Sequence, residues 1–289
     1  MRLFLALITC ASASGAPWWN SSKTISYWWA VDANEVTALL STIAAHKSVV
    51  TSLISYCGLD IRDDGTLVTT FSPVCADLFP RLRALGVQPE VTSNSGSCSI
   101  AAMRKLWSDP ASPPALLAYA LAANASGISI DFEPQADSCK GPPTGDAADA
   151  APFAAWLGAC RALLAPRGIR LTVAVASWSP VLAQSATLAR GADRLLSMET
   201  YNGGSAAEWD GLLHSFLAGA PAAAAGVGLG AWSDGAGAWW ETAGAAAHKV
   251  AAARAAGVPE LAVFRMHPSK QPPWPLDFWW AALEAFVAQ

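Results

Sequence analysis

Asp131 and Glu133 are the residues best suited to chemistry in this sequence. They stand two apart at the end of an apolar run, in Asp131-Phe132-Glu133-Pro134. Alternate residues of a strand share a face, so both carboxyls point the same way. Like charges repel and burial penalises the charged form, so one of the two keeps its proton above the usual carboxylate range. A Glu held protonated near neutral pH can serve as a general acid. A purely structural pair, satisfied by Arg265 or Tyr201, is the alternative reading of the same residues.

Something must position these groups. Eight short apolar runs recur along the chain, at 25–31, 49–56, 87–92, 127–132, 170–176, 194–200, 226–231 and 261–266. Helix-like, Ala- and Leu-rich stretches lie between them, at 35–46, 76–85, 114–123, 151–165, 207–217 and 239–256. Strands alternating with helices predict βαβ units and a parallel sheet. Gly86, Gly168 and Gly257 close three of the helical stretches and lead directly into strands, as glycine does at the C′ position. The first strand ends without a glycine-rich phosphate loop, which argues against a doubly wound dinucleotide fold. Eight units within 289 residues suit a closed α/β (β/α)8 TIM barrel of ~250 residues.

In such a barrel, chemistry collects at the C-terminal ends of the strands. Those ends carry Asp32; Tyr56-Cys57; Thr92-Ser93-Asn94-Ser95-Gly96; Asp131 with Glu133; Ser177-Trp178-Ser179; Glu199-Thr200-Tyr201-Asn202; Trp232-Ser233-Asp234; and Arg265-Met266-His267. The opposite ends read as apolar. Glu199 shares strand parity with Tyr201, so both are expected to face inward. Among the 14 Trp residues, Trp29, Trp178 and Trp232 fall nearest the rim and are the candidates for stacking on the apolar face of a sugar ring.

The run Ser126-Gly127-Ile128-Ser129-Ile130-Asp131-Phe132-Glu133 resembles the strand-four motif D-G-x-D-x-D-x-E of glycoside hydrolase family 18, the chitinases and their relatives. Tyr201-Asn202 resembles the family's strand-six Tyr-Asp, and Ser93–Gly96 loosely resembles its Ser-x-Gly-Gly after strand three. The order of these pieces suits the whole barrel. This sequence has Ser126 and Ser129 in place of the first two motif aspartates, Glu199 in place of a Met two before the Tyr, and Asn202 in place of Asp. Arg265 and His267 occupy the strand-eight end, with Trp274 nearby.

The resemblance implies substrate-assisted hydrolysis, the exception to the two-carboxylate scheme. Glu133 would protonate the glycosidic oxygen while the 2-acetamido oxygen of the substrate attacks C1. Asp131 would hold the acetamido N–H, Tyr201 would hydrogen-bond the acetamido carbonyl, and Asn202 would sit near the sugar. Glu199, Trp29, Trp178, Trp232, Asp234, Arg265 and His267 complete the expected substrate-binding set. A second mechanism pairs Glu133 with Glu199 or Asp234 as acid and nucleophile. Glu133-Pro134 resembles the Glu-Pro ending strand four of many retaining barrel glycosidases. A third reading is a lectin-like barrel that binds carbohydrate without turnover.

Composition bounds the rest. Hydrophobic residues make up 53%, charged residues 14%, and the net charge is −4. Such a chain buries a large core and lacks the basic footprint of a nucleic-acid binder. The expected partner is a carbohydrate substrate, with no nucleic acid, no membrane and a monomeric state. Arg2, the apolar run 3–8 and the small residues of 11–16 read as a secretory signal, leaving a barrel domain over 17–289. The run is shorter than the ~20 residues that a span requires. Cys57, Cys75, Cys98, Cys139 and Cys160 follow it without CxxC spacing. One or two disulfides and an odd thiol are expected, and no zinc site. The four His residues are scattered, which gives neither a metal cluster nor a partner for a Ser nucleophile at Ser177 or Ser179. No cofactor is implied. Asn20-Ser21-Ser22 and Asn124-Ala125-Ser126 are glycosylation sequons.

Overall fold

A computed structural model describes residues 17–20, 23–94, 99–134, 145–201, 203–231, 242–268 and 275–288. The expected signal at 1–16 lies outside them, as do Asn202, Trp232, Asp234, Trp274, Cys98 and Cys139. Eight parallel strands close on themselves. In chain order they are β1 (Thr24–Trp29), β2 (Ser52–Ile61), β4 (Gln88–Asn94), β5 (Gly127–Asp131), β6 (Arg170–Val175), β7 (Arg194–Ser197), β8 (Ala225–Gly230) and β9 (Glu260–Phe264). The strands neighbour one another as β1-β9-β8-β7-β6-β5-β4-β2, and β1 pairs with β2 to complete the circle. Strand β3 (Leu67–Thr69) lies antiparallel on an extension of β2. Each of the eight apolar runs is a barrel strand, so the expected α/β TIM barrel is the observed fold.

The helices α1 (Val36–Ala45), α2 (Pro73–Ala84), α4 (Ser112–Ala122), α5 (Ala150–Leu164), α7 (Ala206–Gly219) and α8 (Ala243–Ala255) match the helical stretches of the sequence. Three more were not expected: α3 (Ile100–Ser108), α6 (Ser185–Leu188) and α9 (Asp277–Val287). Gly86, Gly168 and Gly257 take the left-handed conformation after their helices, with φ of 81°, 66° and 73°, the geometry glycine adopts at no steric cost.

Strand alternation sorts side chains into two cores. Ile25, Tyr27 and Trp29 of β1 belong to the large core between barrel and helices, whereas Trp28 joins Ile54, Leu196 and Ala262 in a separate cluster inside the barrel. On the outside of β5, Phe132 packs against Phe153 and Trp156 with ring centroids 6.1 and 6.0 Å away. That aromatic anchor fixes the strand end and sends its neighbours Asp131 and Glu133 inward.

The foot of the barrel is charged, which corrects the expectation of apolar strand starts. Arg170 at the start of β6 is fully buried and holds Glu90 of β4 at 2.5 Å and Glu260 of β9 at 2.6 Å. Ser26 donates to Glu260 at 2.6 Å and accepts from Arg170 at 3.1 Å. Arg194 approaches Glu260 at 3.6 Å. Two carboxylates and two guanidinium groups thus balance inside the plug, as buried charges must.

A disulfide joins Cys57 at the end of the first part of β2 to Cys75 in α2, while Cys160 is a buried free thiol. Among the described residues no helix is long and apolar enough to cross a membrane.

Candidate active site

At the C-terminal end of the barrel, a cavity of about 200 Å³ is lined by Trp28, Tyr56, Asp131, Glu133, Trp178, Met198, Tyr201 and Phe264. Aromatic rings form most of its wall. Trp28 lies 6.1 Å from Tyr56 and 6.3 Å from Phe264 between ring centroids, and Tyr201 stacks on Phe264 at 5.2 Å. Trp178 stands at the mouth, 47% exposed. Walls of this kind suit a ligand with apolar faces and a few convergent polar groups.

Asp131 is the buried member of the carboxyl pair. Its backbone N–H donates to Ser93 Oγ at 3.1 Å, and Tyr56 Oη donates to Asp131 Oδ2 at 3.4 Å. Burial, with the charge of Glu133 second, pushes the Asp131 carboxyl up to about 8, against the opposing pull of the Tyr56 hydrogen bond. The hydroxyls of Tyr56 and Tyr201 are likewise raised, first by burial and then by the charge of Asp131. Glu133 is partly exposed at the cavity wall. Two carboxyls thus stand on one face, one of them shielded and the other open to a ligand.

Tyr201 is positioned by a glycine. A Cβ on Gly228 of β8 would lie 2.6 Å from Tyr201 Cε1 and 1.8 Å from the carbonyl oxygen of Ser197. The bare backbone there lets the phenol ring settle against the barrel wall.

Of the residues singled out from the sequence, Asp131, Glu133, Tyr201 and Trp178 meet around the cavity. Trp29 does not. It is fully buried on the helix side of β1 and donates to Glu35 Oε2 at 3.3 Å; its neighbour Trp28 takes the inward position. The parity argument for Glu199 also fails. Strand β7 stops at Ser197, and Glu199–Tyr201 form a 3-10 turn, whose period differs from two. Met198 and Tyr201 reach the cavity, and Glu199 stands outside its lining. Arg265 and His267 also stand outside it. They bond each other, and the Arg265 guanidinium lies 5.8 Å from the centre of the Phe264 ring. Asn202, Trp232 and Asp234 lie outside the described residues.

Sequence reasoning missed Trp28, Met198 and Phe264 and gave Tyr56 no role. A usable signal existed for Trp28. Strand faces turned toward helices are continuously apolar, and Ile25, Tyr27 and Trp29 form that set, leaving Ser26 and Trp28 for the interior. Among the described residues no group of three His, Cys, Asp or Glu side chains is placed to hold a metal ion.

No family model matches this sequence, and no curated protein matches it. Solved structures do. A chitinase from Chromobacterium violaceum superposes with a TM-score of 0.71 at 16% identity, over 93% of this chain and 100% of that one. A class V chitinase from Pseudomonas fluorescens gives 0.68 at 14% identity, over 92% and 100%. A spore cortex-lytic enzyme from Bacillus megaterium gives 0.66 at 14% identity, over 91% of this chain and 73% of that one. This chain therefore shares its barrel fold with these chitinase and cortex-lytic structures; in this chain Asp131 and Glu133 stand at the end of the fourth parallel strand.

Proposed function

We propose that this chain is a secreted, cofactor-free glycoside hydrolase acting on β-linked glycans that contain N-acetylglucosamine. The observation that carries the proposal is the pairing of the buried Asp131 with the cavity-facing Glu133, at the barrel face where such folds do chemistry. The one proton held between the two carboxyls passes from Asp131 to Glu133 when substrate binds, which leaves Asp131 a carboxylate, and Glu133 donates that proton to the glycosidic oxygen as the bond to C1 breaks. The acetamido oxygen of the same sugar closes onto C1, giving a cyclic oxazolinium ion. Asp131 holds the acetamido N–H and stabilises the cation, and Tyr201 hydrogen-bonds the acetamido oxygen. Water then opens the ring with Glu133 as base. Trp28, Trp178 and Phe264 supply apolar faces for the pyranose, and Asn202 completes the sugar contacts.

Three facts support this reading. The chitinase superpositions cover nearly the whole chain. The raised Asp131 carboxyl provides the shared proton that the pair requires. The Cys57–Cys75 disulfide suits an oxidising, extracytoplasmic compartment, in keeping with a signal at 1–16; the proposal further takes 17–289 as one barrel domain and the protein as a monomer.

The test is hydrolysis of fluorogenic chitobiose and chitotriose glycosides beside their de-N-acetylated counterparts. Release from the acetylated substrates alone is expected, because the acetamido group is the nucleophile. Equal release from both would replace the mechanism with a direct carboxylate attack. Binding of chitin oligosaccharides without release would leave a lectin-like barrel.

A further inference from the structure

Beneath the carboxyl pair, three polar atoms inside the barrel meet no hydrogen-bond partner among the described residues: Asp131 Oδ1, Ser129 Oγ and Thr172 Oγ1. Ser129 and Thr172 are fully buried and Asp131 is 8% exposed. Strand register sets Ser129 beside Thr172 on neighbouring strands β5 and β6. Alternation puts Ser129 below Asp131 on the inward face, and Thr172 on the same side as the inward-pointing Arg170. The next inward position on β6 is the small Ala174. Thr92, the other neighbour of Ser129, has its hydroxyl on the carbonyl oxygens of Ser93 and Ser129 at 3.2 and 3.3 Å. The second carboxyl oxygen of Asp131 belongs to Tyr56. One acceptor and two hydroxyls thus occupy neighbouring inward positions of β5 and β6, each without a hydrogen-bond partner among the described residues.

Buried polar groups in native proteins are almost always satisfied, and a buried water makes about three hydrogen bonds to groups of this kind. We infer that Asp131 Oδ1, Ser129 Oγ and Thr172 Oγ1 together bind an ordered water molecule below the candidate active site, and that this water positions the Asp131 carboxyl. The water donates to Oδ1 and to one hydroxyl and accepts from the other. Ser129 and Thr172 are then positioning residues, because they act on the reacting centre only through Asp131. With Tyr56 on Oδ2 and the water on Oδ1, the plane of the carboxyl group is fixed from both sides. The site itself needs no sugar chemistry; its consequence for turnover rests on the proposed function.

The groups whose titration bears on Asp131 are Glu133, Tyr56 and Tyr201, which face it across the cavity. A donor to Oδ1 favours the charged form, so loss of the water raises the Asp131 carboxyl further.

The experiment compares crystal structures of the wild type, Thr172→Val and Ser129→Ala at about 1.5 Å or better, with the Asp131 carboxyl titrated in each by carbon NMR. Thr172→Val keeps the side-chain shape and removes one hydroxyl; Ser129→Ala guards against a misfolded first variant. Expected is a water within ~2.6–3.2 Å of all three atoms in the wild type, its loss or disorder in both variants, and an Asp131 titration displaced upward by about half a pH unit or more. A dry wild-type site, a Ser129 hydroxyl turned directly onto Asp131, or a titration unmoved in the variants overturns the inference. None of these readouts uses a sugar, so failure here and failure of the hydrolase reading are separate results.

Discussion

Gly127 of β5 faces the carboxylate of Glu90 so closely that a Cβ would lie 2.3 Å from Glu90 Oε2. The glycine of the strand-four motif therefore does steric work at the foot of the barrel, while Asp131 on the same strand works at the top. Glu90 can reach Arg170 because Gly127 leaves the space empty. Gly127→Ala is predicted to displace Glu90 and lower stability by ~1–3 kcal/mol, the usual cost of overpacking a filled interior. Urea denaturation measures it. Unchanged stability would mean that the carboxylate shifts without loss.

Arg170 is the hub of the buried plug, so its removal leaves Glu90 and Glu260 without their main cation. Arg170→Met is predicted to cost ~3–5 kcal/mol, as breaking one side of a buried pair does. Adding Glu90→Gln and Glu260→Gln to the same chain should recover part of that loss, because the uncompensated charges go with it. The denaturation midpoints of the single and triple variants decide the point. If the triple variant is the less stable of the two, charge compensation is not what the plug provides.

These two predictions mark where sequence and structure part. The eight strands were legible because each is an apolar run bounded by polar residues and followed by a helical stretch. The charged foot was not. Glu90, Arg170, Arg194 and Glu260 stand at or near strand starts, where a polar residue reads as the end of a loop, and their partners are far away in sequence. Asp131 and Glu133 were legible from spacing on a single strand. Trp28 was not separated from Trp29, since both are apolar and only the pleat distinguishes them. Glu199 was assigned a strand's parity that the 3-10 turn at Glu199–Tyr201 does not have. Helix α6 has four residues, too few for a periodic signal, and α9 hid because its aromatic run reads equally well as buried strand or helix.

The Asp131 carboxyl makes stability depend on pH in a defined sense. Its value rises from 3.8 in the unfolded chain to about 8 in the folded one. Below 3.8 both states hold the proton. As pH rises through the window, the unfolded chain releases it first, so the folded state loses ground until about pH 8. Asp131→Asn has no proton to lose. Its melting temperature should therefore gain on that of the wild type between about pH 5 and about pH 8. A difference that stays constant across that range would place the Asp131 carboxyl in its ordinary range.

The central claim is that Glu133 is the acid that cleaves a glycosidic bond. The most direct test compares wild type with Glu133→Gln on fluorogenic chitobiose and chitotriose glycosides from about pH 4 to about pH 8. Gln keeps the size and hydrogen-bonding reach of the side chain and removes its proton. The account predicts turnover by the wild type and a fall of ~10² or more in the variant, with binding of the intact oligosaccharide retained. A variant that turns over at the wild-type rate would contradict the assignment and move the chemistry away from the end of β5.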